Sequence, residues 1–143
     1  MGVVMGTDRA DVLAANQFFY NAFTTGDIKG MAKIWAEKAP VACAHPGAPL
    51  LVGREVVLDS WNSILDAKVR PEILCLDPLP HLLGETAYVT CYEQLGGNSG
   101  TVLLATNVFT KEGGTWRIVH HHAGPTPLRP RSGASGAADQ VLH

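Results

Sequence analysis

The sequence predicts an α+β domain, and three observations carry that prediction. Apolar residues recur at helical spacing up to about Ala67, with one short extended stretch between. After Pro71 the period of the pattern drops from near four to two. Helices first and strands later is the α+β order. The composition, 46% hydrophobic and 17% charged over 143 residues, is that of a chain able to bury one core without disulfides or a structural metal. So low a charged fraction excludes disorder across the whole chain.

The first helix spans Asp8 to Thr25. Val12, Ala15, Phe19 and Ala22 form its stripe, widened by Phe18 and Phe23, and Asp8 is the expected N-cap. Gly26 suits a left-handed helix end, and Asp27 caps a second, short helix whose buried face is Ile28, Met31 and Trp35 before Pro40 stops it. Val41 to His45 reads as a strand, His45-Pro46-Gly47 as a turn, and Leu50–Val52 as a short extended piece. A third helix runs from Arg54 to about Ala67 with Val57, Trp61, Ile64 and Leu65 on one face, and Pro71 closes it. The strands that follow are Glu72–Asp77, extending towards Leu83, then Thr86–Leu95, Thr101–Thr110 and Thr115–Ala123. Short Gly-rich or charged turns join them, so the sheet is expected to be antiparallel.

The domain is therefore placed at residues 8–124, with an N-terminal extension at 1–7. A Pro/Gly/Ser-rich tail at 125–143 is expected to be loosely attached; its Leu128, Val141 and Leu142 are potential docking residues. Eleven Lys and Arg against thirteen Asp and Glu leave no basic excess, which argues against nucleic-acid binding. No apolar run is long enough to span a membrane, Met1–Gly6 does not read as a signal peptide, and Gly6 occupies the place where a myristoylation pattern wants Ser or Thr. Cys43, Cys75 and Cys91 have no metal or redox spacing and read as small buried hydrophobes of a cytoplasmic protein.

Several segments together carry a family resemblance. They are Phe19-Tyr20-Asn21-Ala22-Phe23-Thr24-Thr25-Gly26-Asp27, Ile34-Trp35-Ala36, Ala44-His45-Pro46-Gly47, Leu51-Val52-Gly53-Arg54, Trp61 and Trp116-Arg117-Ile118-Val119-His120-His121-His122. Over about residues 8–124 the chain resembles the SnoaL-like, nuclear transport factor 2-like superfamily. The resemblance implies a cone: three helices packed in the concave face of a strongly bent antiparallel sheet, a pocket at the open end, and a homodimer formed through the sheet. The superfamily holds isomerases, cyclases, dehydratases and non-enzymatic domains, so the fold does not settle the function.

Strand alternation places Trp116, Ile118, His120 and His122 on one face, and Arg117, Val119 and His121 on the other. Leu103, Ala105, Asn107 and Phe109 form a second set, and Val41, Cys43 and His45 a third. By resemblance all three sets are concave. His45, Asn107, His120 and His122 would then gather at an apolar pocket walled by Phe19, Trp35, Trp61 and Ala105. His45 stands just before Pro46, in the stretch where ketosteroid isomerases carry a catalytic Asp before a Pro. An imidazole there is a competent base near neutral pH. The isomerase donors are expected to be missing: the oxyanion Tyr falls at or beside Phe19, with Tyr20 turned about a hundred degrees away, and the protonated Asp falls at Ala105.

Three readings stay open. The first is a cofactor-free isomerase, cyclase or dehydratase acting on a small hydrophobic molecule. In it His45 or His122 moves a proton, Asn107 polarises an oxygen, and Phe19, Trp35, Trp61, Ala105 and His120 bind the molecule. The second is a non-catalytic ligand-binding or dimerisation module. The third is a protein holding a metal through His45, His120 and His122.

Overall fold

The computed structural model describes residues 6–70, 72–96 and 100–127. Helix α1 (Gly6–Thr25) is the long central element. It begins two residues before Asp8, which therefore lies in the first turn rather than at the cap and pairs with Lys111 at 3.0 Å. Gly26, at φ 70°, ends it in the left-handed region, where a Cβ is disfavoured. Asp27 caps α2 (Ile28–Ile34) by accepting the Gly30 N–H at 2.9 Å. Met31 and Trp35 are buried as expected, whereas Ile28 is exposed.

Strand β1 (Ala42–Ala44) turns through Gly47 into β2 (Leu51–Val52), and α3 (Arg54–Leu65) follows. Arg54, the first residue of α3, also closes α2. Its guanidinium donates to the carbonyls of Ala32, Trp35 and Ala36, satisfying the open C-terminal end of α2. Glu112 treats the next segment in the opposite sense, its carboxylate accepting the N–H groups of Glu37, Lys38 and Ala39.

The long strands are β3 (Ile73–Leu83), β4 (Thr86–Leu95), β5 (Thr101–Glu112) and β6 (Thr115–Pro125). The sheet order is β2-β1-β6-β5-β4-β3, and every neighbour pair is antiparallel except β1 with β6, which is parallel. A wholly antiparallel sheet is thus corrected at one pair. The reason is topological: β1 returns to the edge of β6 from the far end of the chain, with no hairpin to reverse it. The curled sheet does not close, and α1 packs into its concave side against β3, β4 and β6.

The decisive local feature is a bulge in β6. Val108 pairs with His120 and Phe109 with Ile118, so Val119 is an extra residue in the ladder. Alternation runs Trp116 and Ile118 inward, then restarts with His121 and Ala123 inward. His120 and His122 therefore point to the outer side, and His121 is sealed inside, the reverse of the strict-alternation expectation. At the domain edges, helix and strand run past residues 8 and 124, from Gly6 to Pro125. The rest of the expected N-terminal extension, and Leu128, Val141 and Leu142 of the tail, lie outside the described residues.

Candidate acid–base site

The cone interior is built around Trp61 of α3, which is fully buried. Its indole meets Phe19, Phe23, His45 and His121, with ring centroids 5.4, 5.1, 4.8 and 5.9 Å away. Two imidazoles that are 76 positions apart in the chain thus approach one ring from the sheet side. Phe19, Trp35, Trp61 and Ala105, expected as pocket walls, are sealed core. The surface grooves of about 400–500 Å³ are lined by other residues, such as Phe18, Ile34 and Trp116 between α1, α2 and the start of β6.

Behind His121 lies a sealed polar cluster. Asn16 and Tyr20, one helical turn apart on α1, face Glu93 of β4 and Asn107 of β5. Tyr20 donates its hydroxyl proton to Glu93 Oε2 at 2.6 Å. Its oxygen is then free to accept from Asn107 Nδ2 at 3.1 Å, and the second proton of that amide goes to Asn16 Oδ1 at 2.9 Å. Asn107 Oδ1 is left as an acceptor, so His121 donates from Nδ1, at 2.6 Å. Asn107 thus orients a histidine, and the one it orients is His121. The other ring nitrogen of His121 stands 3.8 Å from Glu93 Oε2.

That last contact has the distance of an ion pair but not its chemistry. Burial pushes the Glu93 carboxyl up to about 7, the Tyr20 hydrogen bond opposing it. Burial, helped by the imidazoles of His45, His120 and His122, pulls His121 down to about 3. In mildly acidic water the pair is an uncharged imidazole beside a protonated carboxyl group, because neither charge is solvated there. Burial, aided by the nearby Glu93, likewise raises the Tyr20 hydroxyl well above its usual range.

His45 differs from His121 in being only half-buried. It follows β1 at the turn, and its Nε2 lies 3.0 Å from Ser60 Oγ of α3. Partial burial lowers its pKa, so the ring is neutral at neutral pH. Nδ1 has no hydrogen-bond partner among the described residues.

The expected constellation is therefore split. His45, Trp61, Asn107 and His121 are brought together. His120 faces outward and donates from Nδ1 to the Ala42 carbonyl at 3.0 Å, and His122 is exposed beside it, with ring centroids 6.2 Å apart. The His45, His120 and His122 metal set does not converge, and among the described residues no three His, Cys, Asp or Glu side chains are placed to hold an ion. Tyr20, Glu93, His121 and Asn16 complete the interior; the sequence reading turns Tyr20 and His121 away from it and gives Glu93 and Asn16 no role in it. Glu93 had a signal, since Ala87, Val89 and Cys91 alternate towards it. Tyr20 had one in its spacing from Asn16. An unmarked bulge hid His121.

A bent, unclosed sheet wrapped on a buried helix defines the nuclear transport factor 2-like class of α+β cones. Within it, residues 12–127 match the SnoaL-like domain, and the chain belongs to that family. A candidate dehydratase of the NTF2-like family from Streptomyces avermitilis is similar over 85% of this chain and 98% of its own, at 32% identity and a TM-score of 0.76. A candidate calcium/calmodulin-dependent protein kinase type II association domain from Thiobacillus denitrificans is similar at the same identity, with a TM-score of 0.70, over 80% of this chain and 94% of its own. The F-box protein SKIP8 of Arabidopsis thaliana is 28% identical over 117 residues, 82% of this chain; the chain spans half the length of that relative. No helix among the described residues is long and apolar enough to cross a membrane.

Proposed function

We propose that this SnoaL-like domain binds a small hydrophobic carbonyl compound at the rim of the cone and moves a proton on it with His45, without a cofactor, as an isomerase, cyclase or dehydratase would. The observation that carries this reading is the state of His45: half-buried against Trp61, uncharged, with one ring nitrogen engaged and the other unengaged. A general base needs an unprotonated nitrogen within reach of its substrate, and the engaged nitrogen fixes the direction of the other. With Phe19, Trp35, Trp61 and Ala105 buried, the binding position is placed at the rim of the cone, where the β1–β2 turn also exposes Leu50. The dehydratase relative supports the reaction class by likeness only.

The test is deuterium incorporation at the α-carbon of 2-tetralone in D2O, followed by NMR. General-base assistance is worth roughly 10²–10⁴-fold, so His45→Ala is expected to lose about that factor while its far-UV spectrum stays unchanged. Equal exchange by the variant and the wild type overturns the assignment.

A second reading rests on the outer sheet face. Leu74, Leu79, Leu83 and Leu104 are 45–63% exposed there, with Tyr88, Tyr92, Val102 and Val108 half-buried between them. Among the described residues of this central area, Asp77 in the β3 bulge is the one fixed charge. A mainly apolar sheet face with so little charge suits self-association of two copies, and the likeness to an association domain supports that reading. Light scattering on a sizing column tests it: a dimer is expected, and a monomer across the micromolar range overturns it. The two readings are compatible, since they use opposite faces.

A further inference from the structure

We propose that Ser60 is the positioning residue of the His45 site: its hydroxyl holds the ring as the Nε2–H tautomer and leaves Nδ1 as the atom that takes the proton. This rests on the reading of His45 as the base. The argument is a count of protons in two contacts. Ser60 Oγ lies 2.8 Å from the Val57 carbonyl, one turn back on α3, and 3.0 Å from His45 Nε2.

The hydroxyl has a single proton. If it goes to Val57, the ring must donate from Nε2, and both contacts are hydrogen bonds. If it goes instead to the ring, two oxygens face each other at 2.8 Å with no hydrogen between them. The Val57 carbonyl also accepts within the helix, so it cannot turn away. The first arrangement wins because it satisfies both distances. Cys43 Sγ, 3.9 Å from the same nitrogen, is the longer contact and fits the same tautomer, since a thiol sulfur can accept weakly from Nε2–H.

The consequence is directional. In the exchange step the substrate C–H bond breaks, its proton goes to Nδ1, and the electron pair moves into an enolate. The imidazolium exchanges that proton with solvent and returns a deuteron to the same carbon. Nε2 stays bonded to Ser60 throughout, so the ring does not rotate between the two transfers.

Long-range ¹H–¹⁵N spectra of the full chain, recorded above the His45 titration, read the tautomer directly and need no ketone. The wild type is expected to show a protonated Nε2 and a pyridine-like Nδ1. In Ser60→Ala the Nδ1–H population is expected to rise several-fold, and Ser60→Thr restores the wild-type pattern. Should the alanine variant fail to fold, Ser60→Cys, a weaker acceptor of similar size, is expected to shift the ratio the same way by less. A wild type with its proton on Nδ1, or a Ser60→Ala or Ser60→Cys spectrum that superimposes on the wild type, overturns the assignment. A normal tautomer pattern combined with no His45-dependent deuteration would sink the role of His45 and leave the geometry of Ser60 standing.

Discussion

His121 and His122 are neighbours in the chain with the same side chain, and they have opposite fates. His121 is sealed inside the cone, bonded to Asn107 and facing Glu93. His122 stands exposed on the outer face of the sheet, beside His120. The inner face turns polar side chains into an uncharged, closed hydrogen-bond set. The outer face leaves them in water among leucines. The lesson is that titration and stability here follow from which side of β6 a residue occupies, and one bulge residue, Val119, decides that.

The largest expected effect breaks the comparison if it fails. His121→Ala removes the one donor to Asn107 Oδ1 among the described residues and leaves a cavity beside Phe19 and Trp61. A loss of about 3 kcal/mol is expected, from the unsatisfied amide and the lost packing. His122→Ala is expected to change stability by less than about 0.5 kcal/mol. Urea unfolding measures both, and similar losses would mean that the two faces are not as different as described.

The pH dependence sharpens it. His121 is pulled down from 6.5 to about 3, so the unfolded chain binds the extra proton in that window and stability falls as pH falls through it. Glu93 is pushed up from 4.5 to about 7, so the folded chain binds the extra proton there and stability falls as pH rises. Between 4.5 and 6.5 the two slopes oppose each other. Glu93→Gln removes one of them. Relative to the wild type, the variant is expected to gain stability with rising pH between 4.5 and 7, by about 1.4 kcal/mol per unit at most. A constant difference across that window would show that Glu93 does not titrate as a sealed carboxyl.

Smaller effects test the outer face and the rim. Leu104→Glu places a charge in the exposed apolar area. It is expected to turn dimer into monomer on a sizing column while moving the unfolding free energy by less than about 1 kcal/mol. A variant that stays dimeric would remove the outer face from the interface. The mildest expectation concerns His45, whose imidazole should titrate below its ordinary value in NMR because burial disfavours the charged ring. A midpoint at or above the ordinary value would place the ring in open water or beside a carboxylate.

Much of this molecule is legible in the chain. The three helices, the Asp27 cap, the turn at Gly47 and the four long strands follow from spacing, caps and turn residues, which act over a few positions. The inner set Leu103, Ala105, Asn107 and Phe109 follows from alternation in an uninterrupted strand. What failed was alternation carried through Val119, where the ladder has two residues on β6 against one on β5. Tyr20 failed for a related reason. A helix wrapped by a sheet buries a wider arc than one lying on a surface, so both Phe19 and Tyr20 are inside.

By itself the sequence determined the kind, order and approximate limits of the elements, and the presence of an apolar core with a few polar residues in it, because these depend on short-range periodicity. Only the tertiary structure decided which histidine is sealed, that β1 runs parallel to β6, and that Ser60 of α3 meets His45 in the turn after β1. Those facts depend on register and on packing between segments far apart in the chain, and the first of them turns on a single extra residue in β6 that carries no local mark.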